Sequence, residues 1–164
     1  MATKERNANT FKKLVKDTEG FAKQGKFGEI GHFANGHLKF GDDLSKEEVA
    51  FARKFLLEVK PEAITDLCRK EDLRALLEYG KLQTANAATD ALCEMKEFLL
   101  LANFIRRYKP DDEKKGHVLR ALRKENVDVL NDAGFRELHN WKEFGNPEVK
   151  AAAEKRLKVF KILD

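Results

Sequence analysis

Residues 98–105 read FLLLANFI, and this octet constrains the fold more than any other stretch of the chain. The helical frame around it extends over about residues 86–107, and apolar side chains occupy its centre almost all round. A helix with that pattern has to be covered by neighbours on several sides. The spacing therefore predicts one long helix in the middle of a multi-helix fold. Pro110 ends it, and Asp111, Asp112 and Glu113 sit where the positive end of a following helix favours negative charge.

Most of the remaining chain also reads as helix. Thr10 can cap a first helix carrying Phe11, Leu14, Val15 and Phe21. Ser45-x-x-Glu48 has the spacing of a capping box. Behind it Val49, Ala52, Leu56 and Val59 form one apolar face. Pro61 suits the first turn of another helix, and residues 62–69 and 72–79 read as two short helices stopped at Gly80. A helix over 112–132 presents Leu119, Leu122, Val129 and Leu130, and a short one comes next with Phe135, Leu138 and Trp141 on one side. Asn146-Pro147-Glu148 supplies a cap, a first-turn proline and an acidic first turn in succession. Val149, Ala152, Ala153, Leu157 and Phe160 then make an inward stripe. The expected class is all-α, with seven to eight helices in a short irregular solenoid or a compact helical bundle.

With 164 residues, 42% hydrophobic and 37% charged, the chain reads as a single all-helical domain. Within it, residues 1–44 hold the N-terminal helix and a glycine-rich segment, and 45–164 a repeat-like helical region. No run approaches the roughly 18 apolar residues of a membrane span, so membrane insertion is not expected. The start, MATKERNANT, has no apolar stretch after its charges. The two cysteines, Cys68 and Cys93, lack metal-type spacing. Together these features point to an intracellular, reducing compartment.

Residues 25–41 break the helical pattern with five of the ten glycines. Asn35-Gly36 is a strong hairpin signal, because both turn positions favour positive φ. A two-residue turn there would put Phe33, Leu38 and Phe40 on one face and His32, Ala34, His37 and Lys39 on the other. The segment is read as a small hairpin or as an irregular loop pinned by its phenylalanines. His32 and His37 lack the further ligands a metal site requires, so no metal and no cofactor is expected.

Two other constellations bear on function. Asp90, Glu94 and Glu97 share a stripe on the long helix and read as a solvated edge. Between residues 103 and 124 stand Arg106, Arg107, Lys109, Lys114, Lys115, Arg120, Arg123 and Lys124. A phosphate-binding stripe has this composition, although no recognition motif organises it.

The chain can be laid on itself at an offset of 65 residues. Tyr79-Gly80 then meets Phe144-Gly145, Ala87-Ala88 meets Ala152-Ala153, and Leu92 meets Leu157. Over residues 66–98 and 131–163 this pattern resembles armadillo and HEAT-type helical repeats, which stack helices into a solenoid whose concave face binds other proteins. The resemblance implies the solenoid architecture but not its peptide-binding ladder, because Glu94 and Val159 stand where armadillo repeats carry a peptide-holding asparagine.

With neither HExxH nor GxSxG present, the leading expectation is a non-enzymatic protein-interaction module, an adaptor or scaffold that binds another protein. Phe33, Phe40, Glu94, Trp141 and Val159 are its candidate contact residues. Nucleic-acid binding through the basic stripe is the alternative, and an enzyme whose site converges from distant positions is a second one.

Overall fold

The computed structural model describes residues 2–36, 44–107 and 112–160 of the chain. These residues hold nine α-helices, two 3-10 turns and no strand. The all-α class is as expected, with slightly more helices than the spacing predicts. No helix among the described residues is long and apolar enough to cross a membrane. The chain divides into two compact units, Met1–Ala88 and Thr89–Asp164.

In the first unit, α1 (Ala2–Lys23) ends in a left-handed turn at Gly25, φ +67°. The amide of Lys26 reaches back to Phe21 O at 2.9 Å and that of Gly25 to Ala22 O at 3.1 Å, the paired bonds of a Schellman stop. Beyond this stop Phe27–Ala34 is a helix, α2, which corrects the reading of these residues as part of a hairpin or loop over 25–41. Asn35-Gly36 does turn, with Gly36 at φ +82°, but Asn35 is right-handed at φ −85° and closes a helix instead of joining strands. Phe40 and the rest of the segment after Gly36 lie outside the described residues.

The glycines of α2 serve close packing. The helix lies on α3 (Lys46–Glu58) and α4 (Lys70–Tyr79). A Cβ added at Gly31 would stand 2.8 Å from Ala75 Cβ, and one at Gly28 3.1 Å from Glu71 Cβ. Glycine costs about 1 kcal/mol in a helix interior, and here it lets two backbones approach where no side chain fits. Phe27, Ile30 and Ala34 are buried in the same packing.

One carboxylate serves two helix starts. Asp72, 1% exposed, accepts from Gly28 N at 2.8 Å and from Arg69 N at 2.8 Å, so it caps both α2 and α4. The expected capping box on α3 is present, with Ser45 N donating to Glu48 Oε2 at 2.8 Å and Glu48 N to Ser45 Oγ at 3.2 Å. Arg53 Nε donates to Ala34 O at 2.9 Å and closes the far end of α2. Residues 62–69 do not form the expected helix. The chain makes a 3-10 turn at Pro61–Ala63 and runs irregularly to Arg69.

The single helix expected over 86–107 is two helices, α5 (Leu82–Glu94) and α6 (Phe98–Arg107). Lys96 adopts φ +59°, Lys96 N bonds Cys93 O and Glu97 N bonds Leu92 O, each at 2.9 Å. This is a Schellman stop with lysine where glycine is usual. The break resets the phase of burial. A straight continuation of the face carrying Ala85, Ala88 and Leu92 would turn Leu99 and Asn103 inward. The residues buried in α6 are Leu101, Ala102, Phe104 and Ile105, from the opposite side. Lysine in the left-handed region costs about 1 kcal/mol, so Lys96→Gly is expected to raise stability by about that amount. An increased urea midpoint at unchanged slope would show it, and a lowered midpoint would refute it.

In the second unit, α7 (Asp112–Arg123) is shorter than the helix expected over 112–132, and a separate 3-10 turn stands after it at Val127–Leu130. Asn126 Oδ1 accepts from Asp128 N at 2.8 Å and starts that turn. α8 (Phe135–Phe144) packs along α9 (Pro147–Phe160) and against α6 and α7. Asn146 caps α9 as its sequence implies, accepting from Val149 N at 3.0 Å. Its amide nitrogen donates to Arg123 O at 3.2 Å and to Glu125 O at 2.8 Å. Val149, Ala153 and Leu157 are buried as expected, whereas Phe160 is exposed.

The two turns matched at an offset of 65 share one local geometry. Gly80 (φ −68°, ψ 161°) and Gly145 (φ −64°, ψ 169°) each donate to the carbonyl four residues back, at 2.9 Å. The helices beside them differ in their partners: α8 lies mainly along α9, and α4 mainly against α2.

Candidate functional site

The breaks in the second unit bring three segments around one groove of about 560 Å³. The junction of α5 and α6 contributes Glu94, Lys96, Glu97, Phe98 and Leu99. The stretch between α7 and α8 contributes Glu125, Asn126, Asp128, Val129, Asp132 and Ala133. α8 contributes Glu137, Asn140 and Trp141. Trp141 and Asn140 are buried at the bottom, and Glu94, Asp128 and Asp132 are exposed at the edge. The ring of Phe98 meets that of Trp141 edge-on at 5.0 Å and fixes the apolar floor.

Charge is the groove's second property. Six carboxylates line it against one ammonium, that of Lys96. Among the described residues no ion pair engages Glu94, Glu125, Asp128, Asp132 or Glu137. The thiol of Cys93, also on the wall, registers this field. Burial first, then the charges of Glu125, Asp90 and Glu94, push its pKa from 9.0 up to about 11.

The third property is a donor without an acceptor. Arg106 Nη1 donates to Asn140 Oδ1 at 2.5 Å, which orients the amide. Asn140 Nδ2, in a residue only 7% exposed, then has no partner.

Of the residues singled out in the sequence, the groove brings together Glu94 and Trp141. Val159 lies exposed on α9 outside it. Phe33 belongs to α2 of the first unit, with its ring 6.1 Å from that of Phe21. The residues of the basic stripe differ in exposure and partners. Arg106 is committed to Asn140, to Glu143 and to the face of Phe144, 5.1 Å away. Arg107 is exposed on α6, Lys114 and Lys115 are half-buried, Arg120 and Arg123 are exposed on α7, and Lys124 is exposed just past its end. Lys109 lies outside the described residues.

Sequence reasoning missed Asn140 and the acids of the α7–α8 connection. Glu125, Asp128, Asp132 and Glu137 stand at intervals of three to five residues, with Arg136 the one cation among them. That local excess of negative charge was the available signal.

A smaller concavity of about 200 Å³ beside the groove holds Asp90, Cys93 and His117. His117 Nε2 lies 2.9 Å from Asp90 Oδ1. The trio has the residue types of a thiol-based catalytic site, but a thiol with a pKa near 11 stays protonated at neutral pH and is a poor nucleophile there. Among the described residues no cluster of three or more His, Cys, Asp or Glu is arranged to hold a metal ion.

The first unit carries an apolar groove of about 480 Å³, walled by Phe27, Phe51, Phe55 and Val59.

No family model matches the chain, and no curated protein or solved structure is significantly similar to it.

Proposed function

We propose that the chain is a non-enzymatic protein-interaction module and that the groove of its second unit is the binding surface. The observation that carries this reading is the convergence of an apolar floor with a buried, unpartnered amide in one concavity. A donor buried without an acceptor costs about 1–3 kcal/mol, and a ligand that supplies the acceptor recovers that cost. Apolar surface beneath a few convergent polar groups is the usual composition of a binding site. Two unpaired cysteines suit a reducing, intracellular setting.

Panning the full chain against phage-displayed random dodecapeptides tests the proposal. The enriched peptides are expected to share a consensus. Leu99→Arg, at an exposed position on the groove wall, should abolish their binding while leaving the helical circular dichroism unchanged. Enrichment without a consensus, or full binding by the folded variant, would overturn the reading.

A further inference from the structure

We infer that the groove binds an extended cationic peptide segment, with lysine or arginine side chains among the edge carboxylates and a backbone carbonyl on Asn140 Nδ2. This rests on the protein-interaction reading above and adds the chemistry of the partner.

Two independent features select that chemistry. The carboxylates outnumber the lone ammonium six to one, so the groove attracts cations and repels phosphate or acidic segments. Three of them, Glu94, Asp128 and Asp132, are exposed and stay hydrated until a ligand arrives, which keeps the free groove stable. Charge alone would admit any polycation. Asn140, on the lining, narrows the choice: its Nδ2 is shut off from solvent and has no acceptor, its Oδ1 is taken by Arg106, and a carbonyl that reaches Nδ2 as the side chains over it shift supplies what water does not. An anionic acceptor would have to enter against the carboxylates. A neutral carbonyl attached to cationic groups satisfies both demands, and a basic peptide is the ligand class that carries the two together. The apolar lining of Phe98, Leu99 and Trp141 accepts the aliphatic stems of such side chains.

The test is fluorescence anisotropy with a labelled peptide of alternating arginine and alanine, its glutamate–alanine counterpart, and spermine as competitor. The arginine peptide is expected to bind and the glutamate peptide not to bind. Raising salt from about 0.05 to 0.5 M should weaken binding about tenfold or more. The double variant Asp128→Lys, Asp132→Lys should weaken it about tenfold with unchanged circular dichroism.

Asn140→Asp separates the two features. It keeps the size of the side chain and an oxygen for Arg106, adds a negative charge and removes the donor. Weaker binding of the arginine peptide to this variant supports the carbonyl contact, and tighter binding overturns it. Displacement of the peptide by spermine at equal charge concentration would also overturn the inference. Panning-derived peptides that lack cations yet bind in a Leu99→Arg-sensitive way would leave the interaction module standing and remove its cationic partner. If neither the panned nor the arginine peptides bind, both readings fall.

Discussion

Gly31→Val is expected to lower the stability of the chain by about 3 kcal/mol, at the upper end of what overpacking costs. A Cβ at this position would lie 2.8 Å from Ala75 Cβ, a separation that real Cβ atoms do not adopt, so α2 has to move off α4. That movement also pulls Gly28 N from Asp72 Oδ1 and disturbs the packing of Ile30, which is fully buried. Valine adds two methyl groups to that Cβ and loses side-chain freedom within the helix. Gly20, on α1, has nothing within 4 Å of its added Cβ. Gly20→Ala is therefore expected to raise stability by about 0.5–1 kcal/mol. Urea denaturation of the two variants should show shifts of opposite sign. The double variant Gly31→Ala, Ala75→Gly moves one methyl across the seam and should recover most of the loss of Gly31→Ala alone. A Gly31→Val variant as stable as the parent would refute the close approach of α2 and α4.

Asp72→Ala is expected to cost about 3 kcal/mol. The substitution leaves two backbone donors, Gly28 N and Arg69 N, without their acceptor, and the first of these bonds is buried. An unsatisfied buried donor costs about 1–3 kcal/mol and a lost helix cap about 1 kcal/mol. Asp72→Asn retains one acceptor oxygen and gives up the charge that both helix starts favour, so it should lose about half as much. Amide exchange provides the local readout. Gly28 N–H is expected to lose protection in Asp72→Ala to a greater extent than amides in the middle of α3. Equal stability of all three proteins would remove Asp72 as a shared cap.

The helix ends were more legible than the helix relations. Ser45-x-x-Glu48 and Asn146-Pro147 announce their caps because the groups involved lie within three residues of one another. The break at Lys96 was hidden because lysine carries none of the signal that glycine would at a left-handed stop. The clue was the change of apolar phase between Leu92 and Leu101, which becomes decisive only when the buried faces are known. At residues 27–34 the glycines and Asn35-Gly36 argued locally for a turn, and contact with a helix more than 40 residues away overrode them. Glu94 and Trp141 were found as candidate contacts, one from the repeat-like pattern and one as the sole tryptophan. Asn140 could not be found, because its role depends on which side of its amide Arg106, 34 residues earlier, would occupy.

Asn146 has a consequence for chemical ageing. Its side chain makes three hydrogen bonds, one accepted from Val149 N and two donated to carbonyls at the end of α7 and just beyond it. Hydrolysis of the amide to a carboxylate would turn the donor into an acceptor facing two other acceptors. The common route to that lesion starts with attack on the side-chain carbonyl by the next residue's backbone nitrogen, which gives up its proton as a succinimide ring closes. Here the next residue is Pro147, whose nitrogen has no proton to give. The residue that starts α9 thus also shields the asparagine before it from slow conversion to aspartate.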